Sequence, residues 1–297
     1  MAAISSNIKP HSHGRSISLP STLDQDHAFN QFYRSHTSQE ATTSCPSSSH
    51  IGDKLNCVND MYESIQPFLT LPSTQHSLSH GCLKEQLNKF LDELIGLLDL
   101  CSTIKDALST STDYAIDLQS LLRRKRGDIH GLTSSVEDYL SNRRKVKKSL
   151  YKALLGLQKQ SGSSTKECPC KTSNINILME MRSNTLAVFE SLLVFLLGSN
   201  TQSGPKGWFL VSKMHRIGAK RVQCVETIEE SVVQKVHDEL HVLIRNKNTK
   251  SDRLVLESIK RGLKKMEFSL QDLIDQLEGL CRCLIKSRVS ILNIISC

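Results

Sequence analysis

Two imidazoles stand four residues apart at His237 and His241, a spacing that puts both on one side of a helix, where they could grip a metal ion. The residue after the first is Asp238, with Glu239 behind it, so the zinc-protease order His-Glu-x-x-His is absent. A solvated polar helix face carrying two imidazoles accounts for the pair without a metal. Thiols are the next candidates. Cys168 and Cys170 form one CxC pair and Cys281 and Cys283 another, which is not the doubled CxxC of a zinc site. The 10 cysteines are scattered, and the N-terminus has no apolar segment of the secretory kind, so reduced thiols in an intracellular protein are expected. The chain also has no GxxxxGK[ST] phosphate loop, no GxGxxG and no GxSxG nucleophile elbow. The sequence therefore assigns no catalytic residue, cofactor or metal ligand, and the chain is expected not to be an enzyme.

Charge is the stronger chemical feature. The formal net charge is +8, and it is concentrated between Arg123 and Lys152. There Arg123, Arg124, Lys125, Arg126, Arg143, Arg144, Lys145, Lys147, Lys148 and Lys152 face only Asp128, Glu137 and Asp138. Such a run can be a solvated helix face, a patch for an anionic membrane, or a bipartite nuclear-import or nucleic-acid segment. Few aromatics accompany it, which weighs against single-strand binding, since bases would have little to stack on. Further upstream, Arg15, Ser18 and Pro20 fit the R-S-x-pS-x-P pattern that 14-3-3 proteins read once the serine is phosphorylated.

The elements that must position these groups read as helices throughout. Only 5% of residues are aromatic, while Leu, Lys, Glu and Ser are abundant, a composition suited to helix packing. Residues 1–50 are rich in Ser, Thr and His without periodicity and are expected to be a disordered tail; they also share the acid-poor make-up of an organelle transit peptide. Residues 51–297 are expected to form one helical bundle. A helix from Asp53 carries Leu55, Val58, Tyr62, Ile65 and Leu69 on one face and stops near Pro72. Heptads follow at Leu83, Leu87, Phe90, Leu94, Leu97, Cys101, Ile104 and Leu108, then a separate shorter helix from about Thr112 to Lys125. The next helix is predicted to open on a capping box at Ser134 and Glu137. Further helices are predicted over about 174–197 and 208–245, and a last one over 251–297 with heptads from Ile259 to Leu284. The longest apolar run, Leu186 to Leu197, contains Glu190 and falls well short of the roughly 20 residues that span a bilayer. The expected fold is all-α: an elongated antiparallel bundle of about six or seven helices with coiled-coil-like seams.

Several blocks together resemble a plant-specific family, the BYPASS-like proteins: RSISLP from Arg15, LPSTQHSL from Leu71, LLDLC from Leu97, LRRKRG from Leu122, RRKVKK from Arg143, the stretch Trp208 to Cys224, and LIKSRVSILN from Leu284. Each is weak alone, and their common order makes the likeness specific. The short loop around Cys168 departs from the family's pattern. The resemblance implies a role in root and shoot development and, for some members, membrane-traffic tethering through exocyst-type partners. It implies no catalytic residues. The expectation is a non-enzymatic plant protein, cytoplasmic or peripheral to a membrane, acting through helical protein partners or an anionic membrane surface. The alternative is a nuclear regulator that binds nucleic acid through residues 123–152, and a plastid location is the alternative that the tail raises.

Overall fold

A computed structural model describes residues 48–124, 129–161, 173–198, 232–245 and 252–296. Among them are seven helices and no strand: α1 Ser48–Thr70, α2 Pro72–Ser79, α3 Gly81–Arg124, α4 Ile129–Ser161, α5 Ser173–Leu197, α6 Val232–Arg245 and α7 Asp252–Ser296. The fold is all-α, as the periodicity predicts. The tail expected up to residue 50, with Arg15, Ser18 and Pro20, lies outside the described residues except for its last three, which open α1. The loop around Cys168, the stretch from Trp208 and Ser251, the first residue of the predicted last helix, also lie outside them.

The two longest helices form the frame. On α3 the heptad residues Leu83, Leu87, Phe90, Leu94, Leu97, Cys101, Ile104 and Leu108 are each no more than 2% exposed. On α7 the same holds for Ile259, Leu263, Met266, Leu270, Leu273, Leu277, Leu280 and Leu284. Helices α3 and α7 pack along each other, α1 and α6 lie against α7, and α4 and α5 lie against α3. A few polar contacts fix the register. Gln66 Nε2 donates to Ser287 Oγ at 2.7 Å and Asn59 Nδ2 to the Gln276 carbonyl at 3.2 Å, both joining α1 to α7. Arg182 of α5 pairs with Glu93 of α3 at 2.9 Å.

Two local expectations change, and a third is met. The break predicted before Thr112 is absent, and α3 runs unbroken for 44 residues. The hydroxyls of Ser111 and Thr112 donate to the carbonyls of Ala107 and Leu108, four residues back in the same helix, so they do not divert the chain. The core stripe meanwhile continues through Ala115, Leu118 and Leu122. The capping box at Ser134 is also absent, because α4 begins at Ile129 and buries Leu132 before Ser134 is reached. The stop before Pro72 is present: Leu71 is extended, with φ −65° and ψ 131°. But Pro72 then opens a short helix of its own, as a residue with fixed φ and no N–H can at a first helical position.

At Gly262, α7 packs tightly against α6. A Cβ there would stand 2.6 Å from Val236 Cγ2, on a β-branched side chain with little freedom to turn away. Although alanine favours a helix over glycine by about 1 kcal/mol, the clash should cost more, so Gly262→Ala should destabilise the fold by about 1 kcal/mol. In a Val236→Ala background the same change should become neutral or stabilising. Urea denaturation of the four chains tests this, and a stabilising Gly262→Ala in the parent would contradict the close packing.

The seam generates a second expectation. Leu94→Asp and Leu277→Asp should each cost about 4 kcal/mol or more, because a carboxylate there has neither water nor a partner. Val289→Asp, on the exposed side of the same α7, should stay within about 0.5 kcal/mol of the parent. Circular-dichroism melts that leave all three midpoints equal would contradict the assignment of the core.

Candidate functional site: the two faces of α4

The inner face of α4 is set by Leu132, Val136, Tyr139, Val146, Leu150, Leu154 and Leu157, all buried. The RRKVKK block is therefore split by helical geometry. Arg143 lies three residues before Val146 and seven before Leu150, so it shares their face and is only 8% exposed. Lys147, one turn after Arg143, is half-buried. Arg144, Lys145, Lys148 and Lys152 are exposed. Arg123 and Arg124 are exposed at the end of α3, where Arg123 donates to Gln119 Oε1 at 3.2 Å and Arg124 to Ser120 Oγ at 3.0 Å. Lys125 and Arg126 lie outside the described residues. The ten cations thus do not make one surface: Arg143 and Lys147 turn towards α6, and the exposed ones remain outside.

The inward pair meets a polar row on α6. Gln234 Nε2 donates to Asp238 Oδ1 at 3.0 Å, and the rings of His237 and His241 meet edge to face with centroids 4.6 Å apart. Gly198, at the end of α5, has φ 82°, and a Cβ there would stand 2.9 Å from Gln234 Oε1. Glycine keeps that position open in a conformation other residues rarely adopt. Burial pulls the Arg143 pKa down, against the opposing pull of Tyr139 and Asp238. Burial also lowers Lys147, and the neighbouring Arg143 lowers it further. His237 is held down to about 4, first by burial and then by the positive charges of Arg143, His241 and Lys147.

His237 is therefore not on a solvated face as the sequence suggests; His241 is exposed and His237 is turned into the α4 contact. Two cations beside it oppose a bound metal dication. Among the described residues no cluster of three or more His, Cys, Asp or Glu has metal-binding geometry. Beside this row an open cleft of about 500 Å³ is lined by Glu137, Asp138, Leu140, Ser141, Arg144, His241 and Ile244. Its two carboxylates sit at the start of α4, ahead of the basic face.

The outer face carries more than charge. Tyr151 and Leu155 are each 40% exposed, and on a helix they fall about 20° to either side of Arg144, with Leu155 between Arg144 and Lys148 and Tyr151 at the edge of the basic row. No acid occurs from Tyr139 to Ser161. The uninterrupted positive sign was visible in the sequence, but the exposure of Tyr151 and Leu155 was not, because Leu150, Leu154 and Leu157 next to them are core.

The low His237 pKa sets a pH dependence. The unfolded chain binds a proton at this residue near its ordinary 6.5, whereas the folded chain binds it only near 4. The stability contributed by the neutral, packed imidazole is present above about pH 6.5 and is lost as pH falls towards 4. Melting midpoints should drop from pH 7 to pH 5, and His237→Gln should drop less over the same range. Equal slopes for the two chains would show that His237 is solvated.

No helix among the described residues is long and apolar enough to cross a membrane. No curated protein and no solved structure matches the chain significantly. A family model described as Protein BPS1 matches residues 54–294, from the first turns of α1 to the last turn of α7. That agrees with the likeness to BYPASS-like proteins carried by the ordered blocks. With all seven helices inside or overlapping the match, the chain belongs to the BPS1 protein family, a family of plant development proteins.

Proposed function

We propose that this protein is a non-enzymatic adaptor in root and shoot development that attaches peripherally to anionic membranes through the outer face of α4. The observation that carries this reading is the grouping of Arg144, Lys145, Lys148 and Lys152 with the half-exposed Tyr151 and Leu155 on about a third of the helix circumference. Each exposed Lys or Arg near an anionic surface contributes about 1 kcal/mol. Tyr151 and Leu155 add shallow apolar contact at the headgroup level, while the core stripe of α4 stays committed to the bundle. In this reading the cytoplasmic face of a membrane recruits the bundle, and other helix surfaces engage protein partners, exocyst-type tethering subunits among them. Phosphorylated Ser18 adds a 14-3-3 contact from the tail.

Arg143 and Lys147 do not take part, since one is buried and the other is turned towards α6. Co-sedimentation of the full chain with vesicles tests the proposal. The parent should bind phosphatidylserine vesicles and not phosphatidylcholine vesicles. Binding should weaken as the Debye length shrinks from about 10 Å at 0.1 M salt to about 3 Å at 1 M. Replacing Arg144, Lys148 and Lys152 by Gln should remove roughly 3 kcal/mol, about a hundredfold in affinity, at low salt. Equal binding to both vesicle types, or a triple variant that binds like the parent, would leave this face as a solvated surface.

A further inference from the structure

The seam between α3 and α7 contains one chemically reactive contact. Cys101 is completely buried on α3, and Cys281 is partly exposed on α7. Their sulfur atoms lie 2.7 Å apart, although the residues are 180 positions apart in the chain. The Cys101 sulfur also lies 3.3 Å from the Leu277 carbonyl, one turn before Cys281, so the thiol is held at the interface and does not rotate away. Both residues occupy the apolar rows that fix the register of the two helices: Cys101 falls between Leu97 and Ile104, and Cys281 follows Leu277 and Leu280. The sulfurs therefore meet in a rigid frame, at a separation that needs only a small movement to reach the about 2.05 Å of a disulfide.

We propose that Cys101 and Cys281 are an oxidative modification site, forming a reversible disulfide that ties α3 to α7 when a hydroperoxide reaches Cys281.

The roles of the two thiols follow from their surroundings. Cys281 is the one that solvent reaches. Its pKa is held down to about 7, first by the thiol of Cys101 and then, against the effect of burial, by Lys105. Lys105 itself pairs with Glu278 at 3.5 Å across the same seam. Cys101 is pushed up, by the neighbouring sulfur and by burial, and so keeps its proton. The Cys281 thiolate attacks the terminal oxygen of the hydroperoxide; the O–O bond breaks, the leaving alkoxide or hydroxide takes up a proton, and Cys281 becomes a sulfenic acid. The Cys101 sulfur then attacks the Cys281 sulfur, the S–O bond breaks, and hydroxide leaves as water with the proton that Cys101 gives up. With hydrogen peroxide, two thiols and one peroxide yield one disulfide and two waters. Two electrons pass from the sulfurs to the peroxide, and a dithiol reductant reverses the change. Cys283, two residues from Cys281, is buried away from this contact.

The purified full chain is treated with hydrogen peroxide, its remaining thiols are blocked with N-ethylmaleimide, and it is digested for peptide mass spectrometry. A peptide linking Cys101 to Cys281 is expected, together with a rise in the melting midpoint of roughly 5–10 °C that dithiothreitol reverses. Cys281→Ser, at the half-exposed position, should lose both the link and the rise. If the parent chain gives no such peptide, or if Cys281 is recovered as a stable sulfinic acid or linked to a different cysteine, the proposal is overturned.

Discussion

The structure depends on the burial of two long apolar rows against each other. Helices α3 and α7 span 44 and 45 residues, and their heptad residues are almost fully removed from water over that length. Helices so long gain little from propensity alone; their stability comes from the apolar face that a partner covers. Once α3 and α7 are joined, α1 and α6 can bury their own stripes on α7, α4 its stripe on α3, and α5 its stripe mainly on α4 and α1. The position of α4 on the rim of this assembly decides which of its side chains meet solvent.

That geometry sorts cations adjacent in sequence into opposite roles. Arg143 and Arg144 are neighbours, yet about 100° of helical rotation separates a buried guanidinium from an exposed one. Arg143 is held near Tyr139 and the carboxylate of Asp238, and its positive charge helps keep His237 neutral. The exposed cations have no carboxylate on their stretch of α4 to neutralise them, so their field is available to an anionic surface. Stability and surface chemistry are thus divided between two sides of one helix.

Much of this was legible in the residues. The rows on α1, α3, α4 and α7 repeat at the helical period, and every position singled out for the core of α1 and for the two seams is buried. The ends of the helices were less legible, because Ser and Thr near position 111 carry the same composition whether they break a helix or bond back to it. Arg143 was readable in principle: its spacing from Val146 and Leu150 places it on the inner stripe, but a block of like charges invites treatment as one patch. Gly262 and the contact between Cys101 and Cys281 were not readable from one sequence. Both depend on the register of one helix against another, which no local pattern specifies.

The central claim is that the outer face of α4 brings a helical member of a plant development family to an anionic membrane, and location in living cells tests it most directly. A full-length fluorescent fusion in plant root cells, compared with the fusion in which Arg144, Lys148 and Lys152 are replaced by Gln, measures it at native ionic strength. The account predicts a peripheral signal for the parent that spreads through the cytosol in the variant, at equal protein levels. A signal confined to the nucleus, or the same distribution for both fusions, would contradict it.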